Sequence, residues 1–419
     1  MSENSRTASH RPVFFSKQPI MDSDRRIWGY ELLGGEIQQG IFTVFPEHEA
    51  AATSLGSSAY FRLQEDMDRG KRVMVAFDAE SIILGIPRAL PAKAGVVRVS
   101  QEATKTEGVP EELRALKKDG YTIAIDCSHA NRPDKECMLL ADVVCVDFSV
   151  KAAVIACSRG DASSTMLARG IRDNDMFEAA RRMGVGLYQG PFFKEPEITE
   201  GQGLSSHKVA RIELMAILES PDPDLKGVAE AVKADVSLTF RLISLLNSSA
   251  FGFRQKIESV DHAVNLLGWN QTRSWLRAVL VADMAGQSEG SQELALISMQ
   301  RARFLQQLTA HYDYWGFNPE TLFLLGMFSL LDAILGIPMQ EVTDMLPLTS
   351  SLKESLTGDP NNEHRPLFDL MEALEDADWN TLHEMVPRLG FEPDVVRSLY
   401  SEAMDWAASF FAVQSGPTA

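Results

Sequence analysis

The chain has 419 residues, with 40 Lys and Arg against 58 Asp and Glu and a formal net charge of −18. That length exceeds one ordinary domain and points to two or three, and 45% apolar with 23% charged residues excludes wholesale disorder. So acidic a chain is also no general binder of nucleic acid or anionic membrane, because phosphate recognition rests on clustered Lys and Arg.

Met1 to Arg11 is polar and lacks the apolar core of a secretion signal, so a cytoplasmic address is expected. From there to about residue 190, short β-rich runs alternate with helical patterns. The strands are expected at Val13–Ser16, Trp28–Leu33, Val73–Phe77, Val96–Ser100, Thr122–Asp126, Val143–Val146, Met166–Ala168 and Gly186–Tyr188. Amphipathic stretches at Glu111–Lys118 and Asp175–Met183 each end at a glycine, Gly120 and Gly184. Strand and helix in alternation imply parallel strands with crossover helices. Eight strands in this length fit a small (β/α) barrel with its site at the C-terminal strand ends. An open doubly wound sheet is the alternative, but no GxGxxG follows the first strand. All four cysteines (Cys127, Cys137, Cys145, Cys157) fall in this half without a CxxC pair, which reads as buried thiols in a reducing compartment.

After Pro196 the texture changes. Residues 197–207 are polar with Gly and Ser and read as a linker. Beyond it helical periodicity takes over, at Val209–Leu218, Leu225–Ala234, Leu238–Asn247, Ser259–Leu267, Gln271–Met284, Gln292–His311 and Glu392–Phe411. Thr321–Met339 is apolar almost to the length of a membrane span. It carries Asp332 within, Asn318 and Pro319 as a start, and Gly336 and Pro338 as a stop, so a buried core helix is expected. The negative charge concentrates in this half: residues 1–200 hold 25 basic and 29 acidic groups, and residues 201–419 hold 15 and 29. The fold class is therefore α/β plus all-α.

Several motifs are recognisable in the first half: Gln18-Pro19-Ile20, Trp28-Gly29-Tyr30-Glu31-Leu32-Leu33, Gly120-Tyr121 to Ile125-Asp126, Ala141-Asp142 to Val146-Asp147, and Gln189-Gly190-Pro191-Phe192-Phe193. In this order they resemble EAL domains, the cyclic di-GMP phosphodiesterase barrels, over residues 12–196. The resemblance implies a (β/α)8-type barrel in which carboxylates and an Asn hold two metal ions that activate water. Glu31 matches the family's first metal ligand, Asp126 the first of its paired aspartates, and Gln189 the glutamine of the last strand.

The remaining positions are substituted. Asp78 stands at the metal-binding Asn, Cys127 at the second aspartate and Cys145 at the catalytic lysine. Arg98 and Gln101 replace two glutamates of one motif, Arg169 and Arg172 two of another, and Gly35 the arginine that contacts the nucleotide phosphate. A guanidinium keeps its proton and ligates no cation. No metal, no cofactor and no phosphodiesterase activity are expected. The arginines either pair with Glu31, Asp126 and Asp78 to fill the pocket or form an anion site. The first is preferred because Gly35 removes a phosphate contact, so cyclic di-GMP binding is not expected.

In the second half, Asp235-Val236-Ser237-Leu238, Leu245-Leu246-Asn247-Ser248, Phe251-Gly252 and Ile257 to Gly268 resemble the HDOD domain. Gly326 to Asp332 and Tyr400 to Trp406 are similar to the extension of proteins joining such a barrel to HDOD, giving a helical domain over residues 208–411. The related HD phosphohydrolases need a His-Asp pair; here that position reads Leu331-Asp332, and the histidines show no ligand spacing. The expected roles are a cap or turn anchor for Asn247 and Ser248, capping or surface positions for His207, His262, His311, His364 and His383, and core for Trp269, Trp275, Trp315, Trp379 and Trp406. The expected function is a non-catalytic bacterial signal-transduction scaffold acting on other signalling proteins, with oligomeric state open. An inactive cyclic di-GMP receptor is the alternative, and an active phosphodiesterase ranks last.

Overall fold

The computed structural model describes residues 13–412, apart from 39–40, 45–62, 65, 128–132, 150–163, 198–203, 221–224, 248–256, 258, 287 and 314–315. The described residues divide into two compact units. The first holds Met1–Phe192 with Leu370–Val395, and the second Phe193–Asp369 with Val396–Ala419.

The first unit is a closed barrel. Its strands are β1 (Val13–Asp22), β2 (Ile27–Gln38), β4 (Arg72–Phe77), β5 (Gly95–Val99), β6 (Thr122–Cys127), β7 (Val143–Asp147), β8 (Thr165–Arg169) and β9 (Leu187–Gln189), with β3 (Ile41–Val44) added outside on β2. The order runs β1-β9-β8-β7-β6-β5-β4-β2, and a β1–β2 pairing closes it. Each of the eight expected strand runs overlaps one of these strands, with Ser100 and Gly186 falling one residue outside β5 and β9. β2 and β4 through β9 are parallel, as the crossover pattern implies, but β1 is antiparallel to both neighbours. β1 reaches β2 through a tight turn at Asp22–Arg26, and so short a connection permits only an antiparallel pair.

The strands are apolar on both faces because helices cover the outside and side chains fill the inside. One interior layer is Ile20, Met74, Val96, Ala124, Val143, Cys145, Leu167 and Leu187, each at most 3% exposed. The short helices α1 (Ala79–Ile83), α2 (Val109–Lys118), α3 (Lys135–Leu140) and α4 (Asn174–Arg182) follow strands. α2 shows the logic. Glu111 and Glu112 open it, Lys117 and Lys118 close it, and Val109, Leu113 and Leu116 form its buried stripe.

The second unit is helical: α5 (Ser206–Leu218), α6 (Leu225–Ala234), α7 (Val236–Leu246), α8 (Val260–Leu267), α9 (Trp269–Ala285), α10 (Glu289–Tyr312), α11 (Pro319–Phe328), α12 (Leu331–Leu335), α13 (Met339–Met345) and α14 (Ser350–Leu356). α9 is buried along most of its length. α11 lies against α10 so closely that a Cβ on Gly326 would come within 2.4 Å of the Ala302 nitrogen. The apolar run at 321–339 is therefore two helices rather than the single one expected. Ser329 Oγ donates to the Gly326 carbonyl at 2.8 Å where α11 ends. No single helix among the described residues is long and apolar enough to cross a membrane.

The helices α15 (Arg365–Glu375), α16 (Trp379–Arg388) and α17 (Pro393–Ala412) complete the chain. Here the expected domain limits need correction. Residues 208–411 do not all belong to the helical unit, because Leu370–Val395 packs with the barrel, where α16 lies against β3.

Candidate functional site

Period-two alternation places one residue per strand just above the interior layer, toward the C-terminal strand ends. Val96 is followed by Arg98, Ala124 by Asp126, Leu167 by Arg169 and Leu187 by Gln189. In β2, Glu31 pairs in register with Met74 of that layer. Arg98, Asp126, Arg169 and Gln189 make the second level polar on these four strands, and Glu31 meets three of them from β2.

Its centre is Glu31, fully buried at 0% exposure. Arg98 Nη1 donates to its Oε1 at 2.6 Å, Arg169 Nη2 to its Oε2 at 3.0 Å and Gln189 Nε2 to its Oε2 at 2.7 Å. Arg98 also forks onto Asp126, Nε to Oδ1 at 2.9 Å and Nη2 to Oδ2 at 2.8 Å. Arg169 Nε donates to Gln189 Oε1 at 2.9 Å. Two guanidinium groups and two carboxylates therefore close a neutral network with bidentate geometry. Burial alone would raise the Glu31 pKa, but Arg169 and then Arg98, with the hydrogen bonds, hold it below the ordinary carboxylate range. Burial likewise works against the Arg98 charge, and Glu31 and Asp126 outweigh it.

Above this network opens a cleft of about 800 Å³. Its lining includes Arg98, Asp126, Cys145, Arg169, Arg172 and Asp376. The side chains from Arg98, Arg169 and Arg172 thus share one mouth with Gln101, Cys127 and Gln189. Asp78 does not join it. Its carboxylate accepts from the Ser81 backbone N–H at 2.9 Å as the N-cap of α1, which corrects the expectation that it pairs with the arginines. Gly35 lies on β2 with the Trp379 ring against it: a Cβ there would sit 2.9 Å from ring carbons. Cys137 and Cys145 are buried free thiols, but Cys127, at a strand end, is disulfide-bonded, unlike the reduced set expected. Cys157 lies outside the described residues.

The two-metal centre that the EAL resemblance implies does not fit these residues. Both Glu31 oxygens already accept from cationic or amide donors, and the Arg98 fork occupies Asp126. Among the described residues no group of three His, Cys, Asp or Glu could hold a metal ion. Burial pushes the Cys145 thiol up to about 12 and keeps it protonated, so it offers the cleft no thiolate.

Three contacts of this layer were not legible in the sequence. Gln189 Nε2 donates to Gln18 Oε1 at 3.3 Å, and Gln18 Nε2 in turn donates to the Glu375 carbonyl at 3.3 Å. Ser16 Oγ donates to the same carbonyl at 3.0 Å. Alternation of Ser16 and Gln18 with the interior Ile20 was the available signal for the β1 side; nothing signalled Glu375.

The helical unit has its own charged knots. Asp283, 6% exposed, accepts from Arg211 Nε at 2.6 Å and pairs with Arg241 Nη1 at 2.6 Å and His207 Nε2 at 3.0 Å. Arg277, fully buried, forks onto Glu219 at 2.5 and 2.7 Å. Asn247 pairs reciprocally with the backbone of Ile257, its amide donating at 2.6 Å and its carbonyl accepting at 2.7 Å, which is a turn anchor. Ser248, Phe251, Gly252 and Trp315 lie outside the described residues. Gly268, at φ +77°, joins α8 to α9. His364 corrects the expectation of a surface or capping role: it is 3% exposed and its Nδ1 lies 2.8 Å from Ser355 Oγ.

A family model for the HDOD domain matches residues 204–339. Residues 204–339 are an HDOD domain. Within this HDOD domain fall the Asp283 and Arg277 knots and Asn247, while residues 340–411 extend beyond it. Two curated relatives span nearly the whole chain. The uncharacterized protein YuxH of Bacillus subtilis is 28% identical over 405 residues, covering 94% of this chain and 98% of that protein. The cyclic di-GMP phosphodiesterase CdgJ of Vibrio cholerae is 27% identical over 402 residues, covering 94% and 92%. Among solved structures, the EAL domain protein from Listeria monocytogenes is 16% identical over 43% of this chain and 87% of its own, with a TM-score of 0.34. The EAL domain of DcpA from Mycobacterium smegmatis gives 16%, 43%, 90% and a TM-score of 0.34.

Proposed function

We propose that this chain is a non-catalytic member of cyclic di-GMP signalling, a barrel without its metal chemistry coupled to an HDOD domain and acting through protein–protein contacts. The observation that carries the reading is the buried Glu31, held by the two guanidinium groups of Arg98 and Arg169 where two-metal hydrolysis needs clustered anionic oxygens. A guanidinium cannot release its proton to make room for a cation. The name of the Vibrio relative points the other way, toward hydrolysis. This chain's own mouth carries guanidinium groups on Glu31 instead.

A second reading has one observation in its favour. Arg172 lies exposed at the rim of the cleft, a place where a phosphate could pair with it. Calorimetric titration of the full chain with Mg²⁺, with Mn²⁺ and with cyclic di-GMP separates the readings. The scaffold reading expects no saturable heat from any of them. Micromolar nucleotide binding without metal would favour the inactive receptor, and saturable metal binding would contradict both. Partners are then sought by affinity capture with the full chain, other signalling proteins being the expected class.

A further inference from the structure

We propose that the mouth of the barrel has become a docking site for the chain's own C-terminal segment, the corner at residues 375–379. The inference rests on the non-catalytic reading of the mouth and adds an occupant to it.

Three features carry it. The corner is built for one geometry. α15 ends with the Asp378 N–H on the Ala373 carbonyl at 2.9 Å and the Ala377 N–H on the Leu374 carbonyl at 3.4 Å. That is a left-handed C-terminal cap, with Ala377 at φ +53° where glycine is usual. Asp378 then starts α16 by accepting from the Thr381 backbone N–H at 3.1 Å and from its hydroxyl at 2.7 Å. Second, this turn aims the Glu375 carbonyl at Ser16 and Gln18, and Ser16 is only 1% exposed. Third, Trp379, 8% exposed, covers Gly35 so closely that no side chain fits between them.

These contacts continue the arginine network. Arg98 holds Glu31, Glu31 holds Gln189, Gln189 donates to Gln18, and Gln18 donates to the corner. Asp376, next in the corner, lines the cleft beside Arg98, Arg169 and Arg172. Gly35, Arg98 and Arg169 all bear on the corner. Gly35 makes room for Trp379, and the arginines fix the glutamine relay that presents Gln18. The substitutions read singly as losses of catalysis; together they make a receptor for residues 375–379.

Hydrogen exchange with mass spectrometry on the full chain tests this, using two variants. Gly35→Ala puts a methyl group into the Trp379 ring on a strand backbone that tolerates alanine, and Gln18→Leu removes the donor. Peptides from 370–395 are expected to exchange at least about tenfold faster than in the wild type. Peptides from β5 and β6 should keep their protection. A rise in either variant with the strands intact supports docking. No rise in both, or a rise only where the strands also open, overturns it. Because the readout involves neither nucleotide nor metal, a hydrolysing protein would sink the functional reading and leave this result standing.

Discussion

Arg98→Met tests the electrostatic logic of the mouth. The variant keeps an unbranched, flexible stem and removes the charge shared by Glu31 and Asp126. Breaking a buried ion pair from one side costs about 3–5 kcal/mol, because the remaining charge stays desolvated. Glu31 still has Arg169 and Gln189, and Asp126 is 26% exposed, so the loss should fall near about 3 kcal/mol. For a unit of this size that corresponds to a melting temperature lower by roughly 6–12 °C. The pH dependence has a definite sign. In the wild type the depressed Glu31 pKa contributes stability that is complete above its ordinary value of 4.5 and is lost only as pH falls below it. In the variant burial is opposed only by Arg169 and Gln189, so that pKa rises and protonation at lower pH relieves part of the cost. The gap between variant and wild type should therefore narrow from pH 7 to pH 5. Scanning calorimetry at both values measures it. A barrel transition shifted by less than about 2 °C at pH 7, or a gap that does not narrow, would refute the reasoning.

Other consequences follow from single groups. Ala377→Gly removes the left-handed penalty at the corner and should stabilise the barrel unit by about 1 kcal/mol, read from denaturant midpoints. Burial pushes the Asp332 carboxyl up from 3.8 to about 6, so its charge becomes a growing cost as pH rises through that range. Asp332→Asn should accordingly gain about 2 kcal/mol over the wild type at pH 8 and nothing at pH 3.5. Asp283→Leu strands Arg211 and Arg241 without their shared carboxylate and should cost the helical unit about 3–5 kcal/mol, seen as an early calorimetric transition.

The barrel was legible because its strands are apolar on both faces, which leaves short continuous runs such as Val73–Phe77 between polar turns. β3 was not, being four residues with a threonine inside. The antiparallel sense of β1 was also missed, since it depends on a turn rather than on a pattern. In the helical half the long amphipathic elements were visible. The short α14 and the proline-containing α16 were not, and the break at Ser329 depends on a local side-chain bond. Composition at the mouth was readable residue by residue, so Arg98, Arg169 and Glu31 were expected near each other. Asp78 was misread because an aspartate after a strand caps a helix as readily as it faces a pocket. The link from Ser16 to Glu375 spans 359 positions, and no local pattern encodes a pairing that only tertiary packing creates.

The central claim is that guanidinium groups stand where hydrolysis needs divalent metal. The most direct measurement is the rate of cyclic di-GMP hydrolysis by the full chain in Mg²⁺ and in Mn²⁺, followed by chromatography of the linear product. The account predicts no turnover above the protein-free control in either metal, and none on restoring a single carboxylate with Arg98→Glu. Metal-dependent turnover by the wild-type chain would contradict it.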